Sequence, residues 1–219
     1  GKARPMPDLS TLLIFTAALQ TLEPVGPLLD YVLNEDFLAA LPAPEKNAMR
    51  YNLACRLLMT GRLDEARKQI QALPPGVDGS IGMNGWIFFV QGKNDEALEA
   101  FAEDARLWRK ELKKRAGCFV GLPGLFYLLA LLRRSQEEDW REMDQILLSS
   151  RQAYYKQSYY GTIYNYFRAV LTAKNAGQEA ARALLGDPGE NTGIAVFFRA
   201  FTAYWVDGSL NQATIDELS

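Results

Sequence analysis

The sequence predicts an all-α fold, a right-handed solenoid of about five antiparallel helical hairpins with extra N-terminal helices. Three observations point there. Apolar residues recur at spacings of three and four, and β-branched alternation is nearly absent. A glycine turn recurs in a shared context: TGRLDEARKQI at Gly61, QGKNDEALEAF at Gly92 and DGSLNQATIDE at Gly208. The first two turns lie 31 residues apart, a spacing typical of stacked helical units.

The elements follow in chain order. Asp8 or Ser10 can cap a helix through Leu12, Leu13, Phe15, Ala18 and Leu19. Pro24 and Pro27 punctuate, and Leu28 to Leu41 reads as a second helical stretch. Pro42-Ala43-Pro44 then breaks the chain, so 1–43 forms the N-terminal helices and 44–219 the hairpins of one helical-repeat domain. The pairs are Pro44–Thr60 with Leu63–Leu73, then Ser80–Gln91 with Asn94 to about Arg115. Leu122–Arg134 pairs with Glu138 to about Ala153, Ser158–Lys174 with Gln178–Leu185, and Thr192–Val206 with Asn211–Leu218. The apolar run Phe119–Leu132 holds 14 residues, short of the roughly 18 to 20 a membrane span needs. It reads as a buried core helix from near Leu122, with Pro123 in the first turn, where a missing N–H costs little.

The turn contexts explain how the pairs close. Each glycine stands where a helix must stop in a left-handed conformation. Ala66, Ala97 and Ala213 follow five residues later, small enough to let two helices approach. In the first two copies Ala54 and Gly85 sit seven before the glycine, Leu57 and Phe88 four before, and Ile70 and Phe101 nine after.

On these residues, Asn47–Leu73 and Ser80–Ala105 resemble tetratricopeptide repeats. The matching positions are Leu53, Ala54, Leu57, Gly61, Leu63, Ala66 and Ile70, then Gly85, Phe88, Gly92, Ala97 and Phe101. Arg50 and Ile81 stand where the family usually has an aromatic, and Leu73 and Asp104 where it has a small residue. The closing proline is displaced to Pro74-Pro75 in one unit and missing from the other. Ser135 and Asn175–Gly177 replace a clean glycine in later pairs. A second segment, Gly121–Leu147, is similar to a helical region ahead of the motor domain in large bacterial Swi/Snf-type ATP-dependent helicases. That resemblance implies an accessory region of such a protein. The start at Gly1-Lys2-Ala3 fits a piece of something longer.

Composition excludes several chemistries. The chain has 219 residues, a net charge of −2 and no histidine, which removes Ser–His–Asp and Cys–His catalysis and every His-ligated metal site. Cys55 and Cys118 form no C-x-x-C pair and cannot close a zinc site alone. Cys55, among Leu53, Leu57 and Leu58, reads as a small buried hydrophobe. Without a disulfide framework or signal peptide, a reducing cytoplasm is the expected compartment. No G-x-x-x-x-G-K-[ST] loop occurs, and Gly79, Gly82 and Gly85 do not form a dinucleotide fingerprint. The acidic groups Asp95-Glu96-Glu99-Glu103 and Glu137-Glu138-Asp139 follow helix starts, where carboxylates favour the positive end of the dipole. Ser135-x-x-Glu138 has capping-box spacing. No catalytic residue, metal or cofactor is expected.

Two surfaces remain as binding candidates. In stacked hairpins the first helix of each pair lines the inner face, which selects Tyr51, Leu58, Trp86, Phe89, Tyr159 and Tyr166 as anchors for a protein or peptide, or for another domain of the parent chain. Together with Cys55 that set is apolar, which argues against a groove built to capture carboxylates. The alternative is nucleic-acid binding by Arg106, Arg109, Lys110, Lys113, Lys114 and Arg115, with Trp108 available for stacking. The same basic stretch also suits a solvated helix end whose cations complement the dipole. The expected function is thus a non-catalytic interaction or scaffold module with no membrane partner.

Overall fold

A computed structural model describes residues 30, 32–74, 80–111, 122–155, 158–185, 200 and 202–206. Among these residues every regular element is helical and none is a strand. Among the described residues no helix is long and apolar enough to cross a membrane. The chain divides into two compact units, Gly1–Asp104 and Ala105–Ser219.

The first unit begins, within the described residues, with α1 (Glu35–Ala39), α2 (Ala43–Met59), α3 (Leu63–Gln71), α4 (Ser80–Val90) and the first part of α5 (Asn94–Glu111). The expected helix over Leu28–Leu41 is interrupted at Leu33-Asn34. Asn34 adopts extended backbone and caps α1 instead, its Oδ1 accepting from the Asp36 N–H at 2.9 Å. Helix α2 packs against α1, α3 and α4, and α3 packs against α4. Arg50, the departure from the family's aromatic, ties three of these helices. Its guanidinium donates to Glu35 of α1 at 2.7 Å and to Gln69 of α3 at 2.6 Å. Arg62 forks onto Glu65 with two bonds of 2.7 Å and reaches Asp30 at 3.0 Å.

The second unit contains the end of α5, then α6 (Leu122–Arg134), α7 (Glu137–Tyr155), α8 (Ser158–Ala176) and α9 (Gln178–Leu185). Each of the last four packs on its sequence neighbour. Pro123 lies in the first turn of α6, as its missing N–H requires. Ala169, Ala181 and Val206 form an apolar cluster that brings the helical residues 202–206 against α8 and α9.

Four tight reversals use one device. Gly61, Gly92, Ser135 and Gly177 have φ of 75°, 78°, 55° and 90°. At Gly61 and Gly92 the last turn closes as a Schellman motif. Arg62 donates to Leu57 and Gly61 to Leu58; Lys93 donates to Phe88 and Gly92 to Phe89. Ser135 and Gly177 use the simpler single bond, donating to Leu131 at 2.8 Å and to Ala173 at 3.1 Å. Ser135, which the sequence reads as a replacement for the turn glycine, therefore keeps the glycine's backbone. It is the only non-glycine at positive φ among the described residues, and its hydroxyl donates to the Leu132 carbonyl.

The position four or five beyond each reversal faces the partner helix. Ala66, Ala97 and Ala181 fill it fully buried; Ala213 lies outside the described residues. In α7 it is Asp139, also buried, which Arg134 neutralises with a bidentate contact of 2.6 and 3.0 Å. The expected capping box at Ser135 and Glu138 is shifted by one residue. Gln136 precedes the helix and Asp139 Oδ2 accepts its N–H at 2.9 Å, because Ser135 is turned left-handed and its hydroxyl is used elsewhere.

Gly85 answers a packing need rather than a backbone one. A Cβ there would lie 2.8 Å from Cδ1 and Cε1 of the buried Phe101 ring. Gly82 and Gly85 are thus interior residues of α4; Gly79 and Gly186–Gly189 lie outside the described residues.

Three stability changes follow, each measured by denaturant melt. Gly92→Ala lowers stability by about 1 kcal/mol, through positive φ alone, since nothing lies within 4 Å of its added Cβ. Ser135→Gly raises the midpoint by relieving the same strain. Gly85→Ala costs about 2 kcal/mol through overpacking, and the double variant with Phe101→Leu loses less than the sum of the two singles. A Gly85→Ala midpoint equal to that of the parent chain contradicts the packing assignment.

Candidate functional site

The inner-face set divides on burial. Tyr51 on α2 and Phe89 on α4 are half-buried. Leu58, Trp86 and Tyr166 are not groove anchors: they are 4%, 1% and 3% exposed. The reason is that α2 and α4 are each covered on more than one side. Helix α4 packs on both α2 and α3, and Gly82, Met83, Gly85, Trp86 and Ile87 are buried around most of its circumference. Tyr166 lies on α8, which packs between α7 and α9, and it is buried beside Phe167 and Val170. The side chain of Tyr159 lies outside the described residues.

The second helices of the first unit present charge outward, as their sequence indicates. Asp64 and Lys68 on α3, and Asp95, Glu96 and Glu99 on α5, are exposed. These carboxylates are solvent-exposed.

The basic stretch is only partly available. Arg106 and Lys110 are exposed. Arg109 is bonded to Glu142 of α7 at 2.5 Å, and the Tyr127 hydroxyl donates to the same carboxylate oxygen at 3.4 Å. Burial and the Glu142 charge push the Tyr127 phenol above its ordinary value. Arg109 is therefore committed within the second unit. Lys113, Lys114 and Arg115 lie outside the described residues, as does the Trp108 side chain.

Cys55 keeps some surface as a residue, but its thiol is desolvated. That burial pushes its pKa up to about 12, while a hydrogen bond from Tyr51 pulls it slightly down. At neutral pH it is a protonated hydrophobe, not a nucleophile. Cys118 lies outside the described residues. Among the described residues no group of three or more Cys, Asp or Glu side chains could hold a metal ion.

Two arrangements had no sequence signal that singled them out. A groove of about 220 Å³ runs between α7 and α8 of the second unit, with Leu147, Leu148 and Leu171 as its apolar wall and Asp144, Arg168 and Asn175 as polar lining. Leu148 is 66% exposed at its edge. The spacing 144, 147, 148 on one helix and 168, 171, 175 on the other is ordinary helical periodicity, so only the pairing of the two helices creates it. The second is a contact of Lys174 with Trp140 and Glu137, residues 37 and 34 positions apart in sequence for the farther and nearer partner.

Matched against protein-family models, curated proteins and solved structures, the chain finds no counterpart in any of the three. The residues themselves carry the functional reading.

The state of Cys55 has a direct consequence. In the folded chain at pH 8, iodoacetamide alkylation mapped to Cys55 by mass spectrometry runs about a hundredfold slower than in denaturant, because thiolate is the reacting species. Equal rates in the two states contradict the desolvated thiol.

Proposed function

We propose that the chain is a non-catalytic helical-repeat module that binds a protein or peptide, or another domain of its parent chain, through the first-helix face of unit Gly1–Asp104. The observation that carries this reading is the pair of matched Schellman turns at Gly61 and Gly92, 31 residues apart, with α2 packed on both α3 and α4. That neighbour pattern suits tetratricopeptide-like stacking, in which successive first helices lie side by side. The proposed wider architecture is a right-handed solenoid built on the same turns.

The binding surface is narrower than the sequence indicates. With Leu58, Trp86 and Tyr166 in the core, the aromatic anchors left are Tyr51 and Phe89. Half-buried tyrosine and phenylalanine lose little side-chain entropy on docking and supply large apolar area. The module's place in an accessory region of a larger helicase-like ATPase rests on the likeness of Gly121–Leu147. In that setting the ATP chemistry belongs to other parts of the parent, and the cytoplasm is the natural compartment.

The test is affinity isolation of the intact parent complex with paired variants, each checked for folding by circular dichroism. Tyr51→Ala with Phe89→Ala weakens partner association by about 30-fold or more, the loss of one good aromatic anchor at about 2 kcal/mol. Lys68→Ala with Glu99→Ala on the outer face leaves it unchanged. Loss of the partner only with the outer-face pair reverses the assignment. Nucleic-acid binding through Arg106 and Lys110 is the competing outcome. It appears as association of the chain with a labelled oligonucleotide at about 50 mM salt that falls steeply as salt rises.

A further inference from the structure

One constellation in the second unit is explained neither by hairpin closure nor by the proposed groove. Near the end of α8, Lys174 places its Nζ 4.5 Å from the centre of the Trp140 ring. The same ammonium lies 3.0 Å from Oε2 of Glu137, one turn earlier on α7, and holds that carboxyl below its usual value. Arg141 stands at 4.0 Å on the other Glu137 oxygen. Trp140 in turn meets Trp205 edge-on, with centroids 6.2 Å apart and planes at 77°. The relay Glu137–Lys174–Trp140–Trp205 thus runs from the start of α7, through the end of α8, to the helical residues 202–206.

We propose that Lys174 is a charge-operated clasp that holds the segment 202–206 on the helices α7 and α8. An ammonium over an indole face is attracted by the ring's quadrupole, and the ring's positive edges favour a T-shaped neighbour. The cation therefore does two things at once. It joins α7 to α8, and it fixes the plane of Trp140 in the orientation that Trp205 packs against. Neutralising Lys174 removes the ring contact and the ion pair together. Val206 remains in its cluster with Ala169 and Ala181, so the segment loosens while the unit stays folded. Opening exposes more of Trp205, next in sequence to Tyr204, which is already 54% exposed.

The experiment is hydrogen–deuterium exchange on the full chain, read at the amides of 202–206 and, as an internal control, at α2–α4. Lys174→Gln speeds exchange at 202–206 about tenfold, the size expected from losing a partly desolvated cation–π contact, and leaves α2–α4 unchanged. Lys174→Arg keeps the charge and stays within about twofold of the parent chain. Glu137→Gln removes the ion pair but not the ring contact and gives a smaller rise. If Lys174→Gln unfolds the second unit, Glu137→Gln and Lys174→Arg carry the comparison. Exchange at 202–206 that is identical in Lys174→Gln and the parent overturns the clasp. So does a Lys174→Arg variant as fast as Lys174→Gln, or a Glu137→Gln variant as fast as Lys174→Gln.

Discussion

Four tight reversals, at Gly61, Gly92, Ser135 and Gly177, depend on a single residue held at positive φ, and the helical pairs described here depend on those reversals. The constraint is steric. An L side chain in that region crowds the following carbonyl, so glycine is favoured wherever the helix must end and turn within one to three residues. Once the turn is set, the residue four or five positions later faces the partner helix at close range. Alanine satisfies that position three times among the described residues. The fourth reversal breaks both habits, with a serine at the turn and a buried aspartate at the contact, and Arg134 offsets the second departure.

The same geometry decides what is left for binding. Helix α4 packs on both α2 and α3, and the Phe101 ring of α5 lies against its Gly85, so little of it is left uncovered. Large residues such as Trp86 then serve the interior, while Tyr51 on α2 and Phe89 on α4 are only half-buried. Charged second helices need no such covering, which is why Asp64, Lys68, Asp95 and Glu99 remain in solvent.

Much of this was legible in the sequence because helix and turn signals are local. The ends of α6 at Leu122 and Arg134, the start of α4 at Ser80 and the left-handed state of Gly61 and Gly92 follow from periodicity and from glycine's tolerance of positive φ. The break at Asn34 was not legible, since Leu28–Leu41 keeps helical spacing straight through it. Burial was legible only in part. Hairpin order put Trp86 and Tyr166 on the inner face of first helices, but helical spacing does not tell how many helices cover that face. Contacts between distant positions carried no signal at all: Arg50 with Glu35 and Gln69, Arg109 with Glu142, and Lys174 with Trp140 arise only when the helices are brought together.

The account stands most directly on the handedness of the turn residues, and a mirror-image side chain reads that handedness. D-alanine placed at position 92 by semisynthesis prefers positive φ and restricts the unfolded chain. The account predicts a higher denaturation midpoint than the glycine parent, by about 0.5 to 1 kcal/mol, where L-alanine lowers it. A D-alanine chain less stable than the glycine parent, with L-alanine neutral or stabilising, contradicts it.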